Sequence, residues 1–231
     1  MQRIIRLIMS LIVILVLIPL TLYMGMTIFA DRKYYFISIV IMILACIPFL
    51  LSFERRNPQP REILVIAVMS SISVAGRALF VVIPGFKPVA AITAITGFSL
   101  GAEAGFLTGA MSALVSNMFF GQGPWTPFQM FMWGMIGFIA GILGKTNMMH
   151  KKIPLIVFGI FAGIFFSFGM DIWGTISMYG VFSWDAYALA LTSAVPFMII
   201  YAISNVIFLL LLAKPIREKL DRIKNKYGIL Q

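Results

Sequence analysis

One cysteine and one histidine in 231 residues leave little material for thiol or metal chemistry. Cys46 stands inside an apolar run with no second cysteine to pair with, and His150 has no companion for a tetrahedral metal site. Acidic residues are scarce too, 8 Asp plus Glu against 18 Lys plus Arg, for a formal charge of +10. Charged residues together make up 11% of the chain and apolar residues 61%, whereas a soluble domain carries roughly a quarter of its residues charged. These shortages exclude a soluble domain and identify an integral membrane protein. The positive balance does not point to nucleic acid, because the cations cluster at the ends of apolar runs and not along a solvated face.

What is present is a series of eight apolar segments, at 4–30, 34–53, 63–83, 89–100, 104–120, 128–143, 153–179 and 187–213. Their unbroken apolar character lacks the alternation of barrel strands, and a bilayer core offers no water to unpaired backbone groups, so each is expected to be a helix and the fold all-α. The first segment has no convincing small-residue cleavage site after Arg3 and Arg6 and reads as a retained helix. Basic residues collect on one side of this topology: Arg3, Arg6, the 54–62 linker, Lys145, Lys151, Lys152 and the run after 213. The other side has Arg32, Lys33 and Lys87. The positive-inside rule then predicts a cell-membrane protein with both termini cytoplasmic. The charged linker, ERRNPQPRE with Pro58 and Pro60, divides a two-helix extension, 1–60, from a six-helix core, 61–231, that ends in a basic tail.

Four features go beyond a plain bundle. Segment 89–100 is about 18 Å long as a helix, against a hydrocarbon core of about 30 Å, so it either stops short, continues through irregular backbone, or runs on past Gly97. The expected external turns, 84–88, 121–127 and 179–187, are rich in aromatics, and Trp125, Trp133, Trp173 and Trp184 all fall in or near that half. A one-sided bias suits the aromatic wall of an outward-facing pocket, while a two-sided interfacial belt accounts for Trp184, Tyr179 and Tyr187 singly. Arg77 and Asp171 lie inside apolar segments, where each needs a partner or a wet cavity, so they either clamp one another or meet a ligand. Asn117, Gln122 and Gln129 supply neutral amides at the same level. With Phe80, Phe86, Lys87, Phe120 and Thr126 these residues form the expected substrate-binding set. Finally Ala67, Ser71 and Ala75 repeat every four residues along one helix face, a pattern that serves either close packing in the core or docking on a partner.

Residues 86–141, FKPVAAITAITGFSLGAEAGFLTGAMSALVSNMFFGQGPWTPFQMFMWGMIGFIAG, resemble the substrate-binding S component of energy-coupling factor (ECF) vitamin transporters. Within that family the stretch GQGPWTPFQM is most similar to the cobalamin-specific type. The resemblance implies that the chain binds a vitamin, with cobalamin the first expectation, at its external side, under loops corresponding to 84–88, 121–127 and 180–186. It implies partners as well: a transmembrane T component and two cytoplasmic ATPases, with the stripe Ala67, Ser71, Ala75 as the docking face. Cobalamin would be transported ligand and not cofactor, and no cofactor is expected. The chain has no G-x-x-x-x-G-K-[ST] phosphate loop, so ATP hydrolysis is expected from the partners and not from this chain. Riboflavin, folate or a queuosine precursor are the alternative ligands. A proton-coupled carrier resting on Arg77 and Asp171 is the alternative function, and an intramembrane enzyme lacks a catalytic constellation.

Overall fold

The computed structural model describes residues 34–55, 59–144, 146 and 151–228, with isolated positions 16, 17 and 20. The expected first helix at 4–30 therefore lies outside the described residues but for those three positions, as do Arg3, Arg6, Arg32, Lys33, Arg56, Lys145 and His150. Among the described residues seven helices are delimited: α1 (Tyr34–Arg55), α2 (Pro60–Leu79), α3 (Val89–Leu100), α4 (Ala102–Phe120), α5 (Thr126–Leu143), α6 (Lys152–Tyr179) and α7 (Trp184–Tyr227). Among the described residues there is no strand. α2, α5, α6 and α7 are long and apolar enough to cross a bilayer, and α3 is a shorter apolar helix, in keeping with a polytopic membrane protein.

α3 is the centre of the bundle. It touches α2, α4, α5, α6 and α7, and all 12 of its residues are buried. A helix that is apolar on every side belongs inside protein, and α3 presents no face to lipid. The helix stops at Leu100 because Gly101 takes φ +98, a left-handed conformation costly for any residue with a Cβ. Gly101 donates its N–H to the Gly97 carbonyl at 2.9 Å and accepts at 3.0 Å from the Gly105 N–H, so this single residue closes α3 and opens α4.

Close approach of α3, α4 and α5 depends on glycine. A Cβ at Gly97 would overlap the Gly137 carbonyl, one at Gly137 would overlap the Gly105 carbonyl, and one at Gly105 would lie 2.7 Å from the Gly97 Cα. The three helices cross backbone to backbone at these residues. α1 rests on the outside of this crossing, with Phe49 stacked on Phe106 at 4.1 Å and edge-on to Phe138 at 5.0 Å.

The last helix differs from expectation. The tail after 213 was expected as a basic extension beyond the membrane helix, yet α7 runs unbroken through Pro215 to Tyr227. Its charge conceals an apolar stripe: Leu220, with Ile216 beside it, packs against Ile66 and Met69 of α2 and Leu100 of α3. The Arg61 guanidinium stands 4.9 Å from the centre of the Tyr227 ring and ties the far end of α7 to the start of α2.

Candidate functional site

The turn joining α2 to α3 does not stay at the rim. Phe80 and Phe86 pack against Phe208 with ring centres 5.1 Å away in each case, and against each other at 5.6 Å. The Ser204 hydroxyl accepts from the Lys87 N–H at 2.9 Å and donates to the Lys87 carbonyl at 3.1 Å. Irregular backbone at membrane depth is tolerated only where protein satisfies it, and Ser204 does so on both sides of one residue. Val81 to Pro84 of this turn are exposed, and the chain becomes buried or half-buried from Gly85 to Pro88 as it enters α3.

Beneath the turn lies a small half-open cavity of about 20 Å³, room for one water-sized group, lined by Gly85, Lys87, Ala90, Trp133, Phe166, Tyr201 and Asn205 among others. Trp133 stacks on Phe166 at 5.4 Å and 11°, and Phe166 meets Tyr201 edge-on at 5.4 Å, so a continuous aromatic wall runs from α5 through α6 to α7. Burial, and after it the positive charge of Arg77, push the Lys87 ammonium down to about 8.

A polar network adjoins this wall. Arg77 donates from Nη1 to Ser116 and, at 2.8 Å, to Asn117 Oδ1, with the Phe120 and Trp133 rings 5.0 and 5.4 Å from its guanidinium carbon. Asn117, fully buried, donates both Nδ2 protons, to Thr126 Oγ1 at 2.9 Å and to Gln129 Oε1 at 2.8 Å. Thr126 in turn donates to Gln122 Oε1 at 2.9 Å, and Gln122 Nε2 donates to the Leu114 carbonyl at 2.9 Å. Five expected site residues, Arg77, Asn117, Gln122, Thr126 and Gln129, are thus joined by hydrogen bonds, with Phe120 and Trp133 bracketing the cation.

The others separate from it. Asp171 accepts from Ser167 at 3.1 Å, and among the described residues no ion pair joins it to Arg77, so the expected clamp between the two is not formed. Trp173 packs on Phe128 at 5.3 Å, and Trp125 folds back over Gly123, where an added Cβ would collide with its ring. Trp184 is 76% exposed and clusters with Phe182 and Tyr187, and Tyr179 is exposed as well. Of the four tryptophans, Trp133 is the one that lines the cavity. Ala67, Ser71 and Ala75 are all exposed, so this stripe does not serve packing within the bundle. Ala67 and Ser71 border an apolar groove of about 370 Å³ shared with Phe53, Leu107 and Met111.

Sequence reasoning missed Ser116, Phe166, Tyr201, Ser204 and Asn205. A signal existed for three of them: Tyr201, Ser204 and Asn205 are spaced three and four apart in an otherwise apolar run, which places them on one helix face.

Residues 57–221 match a family model described as ECF-type riboflavin transporter, S component. No curated protein and no solved structure matches the chain.

Proposed function

Because the chain belongs to the ECF-type riboflavin transporter S-component family, whose members are membrane substrate-binding subunits and not enzymes, we propose that it captures a vitamin beneath the α2–α3 turn and that the turn lifts to admit it, since the cavity there has room for one water-sized group alone. The observation that carries this reading is the site itself: an aromatic wall, an amide network and a turn bonded to α7, all within the matched region. The ligand we propose is cobalamin, on the strength of the GQGPWTPFQM stretch, which supplies Gln122, Thr126 and Gln129 to the network. Riboflavin is the second reading, favoured by the description of the matching family. The match begins in the linker and spans α2 to α7, which supports reading 1–60 as an extension to a six-helix core. The distribution of basic residues supports reading both termini as cytoplasmic and the α2–α3 turn as external.

Isothermal titration of the purified chain in detergent with cobalamin, riboflavin, folate and thiamine tests the proposal. Saturable binding of one of them without any partner is the expected result. Folded protein that binds none of the four removes these vitamins as ligands and moves weight to the solute-carrier reading.

Delivery is assigned to partners, a transmembrane T component and two ATPases, with the exposed face of Ala67, Ser71 and Ala75 as the contact. Ser71 spends its hydroxyl on the Ala67 carbonyl at 2.9 Å, which keeps that face smooth and small. Ala67→Trp or Ser71→Trp is expected to abolish vitamin uptake in cells carrying the partners, while titration of the isolated variant gives wild-type affinity. Unchanged uptake in both variants removes this face from the mechanism.

A further inference from the structure

The cavity and the network beside it bring two cations together, and the acid whose field reaches the lining, Asp171, does so at Tyr201. Lys87 lines the cavity, and Arg77 is near enough to act on it electrostatically. Neither forms an ion pair among the described residues. Acids are missing from the elements that enclose them: α3 and α5 contain none, Glu62 and Glu103 stand at the ends of α2 and α4 remote from Arg77 and Asn117, and Asp185, Glu218 and Asp221 stand towards the ends of α7. Asp171 on α6 is bonded to Ser167 and acts on Tyr201 and Tyr187, and not on Lys87.

Two cations in a low-dielectric interior repel one another and have lost hydration, a cost that an added anion relieves. Arg77 also has capacity to spare. Both of its hydrogen bonds leave from Nη1, so Nη2 and Nε keep donors in the planar fork that matches phosphate or carboxylate oxygens. The partners it does have, Ser116 and Asn117, are neutral and hold the fork in place without discharging it.

We infer that the ligand of this site carries an anionic group, a phosphate ester or a carboxylate, and that Lys87 and Arg77 together neutralise it on binding. This rests on the S-component reading above and narrows it. Cobalamin, which carries a phosphodiester, and folate, which carries carboxylates, meet the requirement, while riboflavin and thiamine carry no such anion.

The test is titration with these four probes at pH 7 and pH 9, using wild type, Lys87→Arg and Lys87→Met, each checked for monodispersity. With Lys87 near 8 the ammonium is charged below that pH and neutral above it. Affinity for an anionic probe is then expected to fall about tenfold between pH 7 and pH 9 in the wild type. Lys87→Arg stays charged throughout and is expected to lose the pH dependence over this window, while Lys87→Met is about tenfold weaker than wild type at pH 7 and equally insensitive to pH. Tight binding of riboflavin or thiamine in place of cobalamin and folate overturns the inference and leaves the S-component reading standing, as does wild-type affinity in Lys87→Met or a flat pH profile in the wild type. Folded wild type that binds none of the four overturns both.

Discussion

Gly137→Leu is expected to yield no monodisperse protein, whereas Gly174→Leu, one helix away, is expected to behave as wild type on size exclusion. The difference lies in what a side chain would meet. Any Cβ at Gly137 runs into the backbone of Gly105 and lies 2.7 Å from Thr93 Cγ2, while Gly174 has nothing within 4 Å. Overpacking a core costs typically about 1–3 kcal/mol when side chains can shift. Here the obstacle is the main chain of a neighbouring helix, so α4 and α5 must separate and uncover α3 between them. Gly137→Ala, which adds the Cβ alone, is expected to lower the thermal midpoint strongly without the same complete loss. A Gly137→Leu protein of wild-type elution and stability would mean that the three-helix crossing is looser than drawn.

The second large effect is expected at Asn117. Asn117→Leu keeps the volume and removes an acceptor for Arg77 and two donors, to Thr126 and Gln129. Loss of a bond to a charged group costs about 1.5–3 kcal/mol, and each buried polar atom left unpaired adds about 1–3 kcal/mol. A destabilisation of about 3–5 kcal/mol follows, together with loss of ligand binding, because the guanidinium then keeps Ser116 as its one hydrogen-bond partner beside the Phe120 and Trp133 rings. Gln129→Ala removes one acceptor at the edge of the same network, and is expected to weaken ligand binding while the detergent-solubilised protein stays monodisperse. Thermal unfolding and titration on both variants separate the two effects, and an Asn117→Leu protein of unchanged midpoint would show that Asn117 is not the hub of the network.

The described helices were legible in the sequence because membrane helices announce themselves by composition, although the segment expected at 63–83 ends at Leu79. Val89–Leu100 was read to the residue, and Gly101, the next glycine after an apolar run, marks its end on simple steric grounds. Failure came where composition and packing part company. The stretch after Lys214 is basic and opens with proline, which reads as the end of a helix, but Ile216 and Leu220 keep the apolar spacing and bury themselves on α2. Much of the site was legible for a related reason: amides and an arginine inside apolar helices at one level have few places to go but towards each other. Which partner each takes was not. The pairing of Arg77 with Asn117 in place of Asp171 depends on how α6 is turned about its own axis, and hydropathy along a helix without a strong polar stripe does not record that angle. Nor did it reveal that the α2–α3 turn sinks to Ser204, since the residue that receives it stands more than a hundred positions away in the chain.

That contact at Ser204 also has a statistical meaning. One hydroxyl fastens both backbone groups of Lys87, so releasing the turn from α7 breaks two hydrogen bonds together. At about 0.5–1.5 kcal/mol net for each bond, and a similar amount for each of the two ring pairs with Phe208 that part with them, the released form is present in roughly 3% of molecules at rest or fewer. A ligand that enters beneath the turn meets only that fraction, and its apparent dissociation constant is raised by the same factor over its intrinsic one. Ser204→Ala shifts that resting population towards release, so the strength with which this protein holds its cargo is set in part by a hydroxyl that need never touch it.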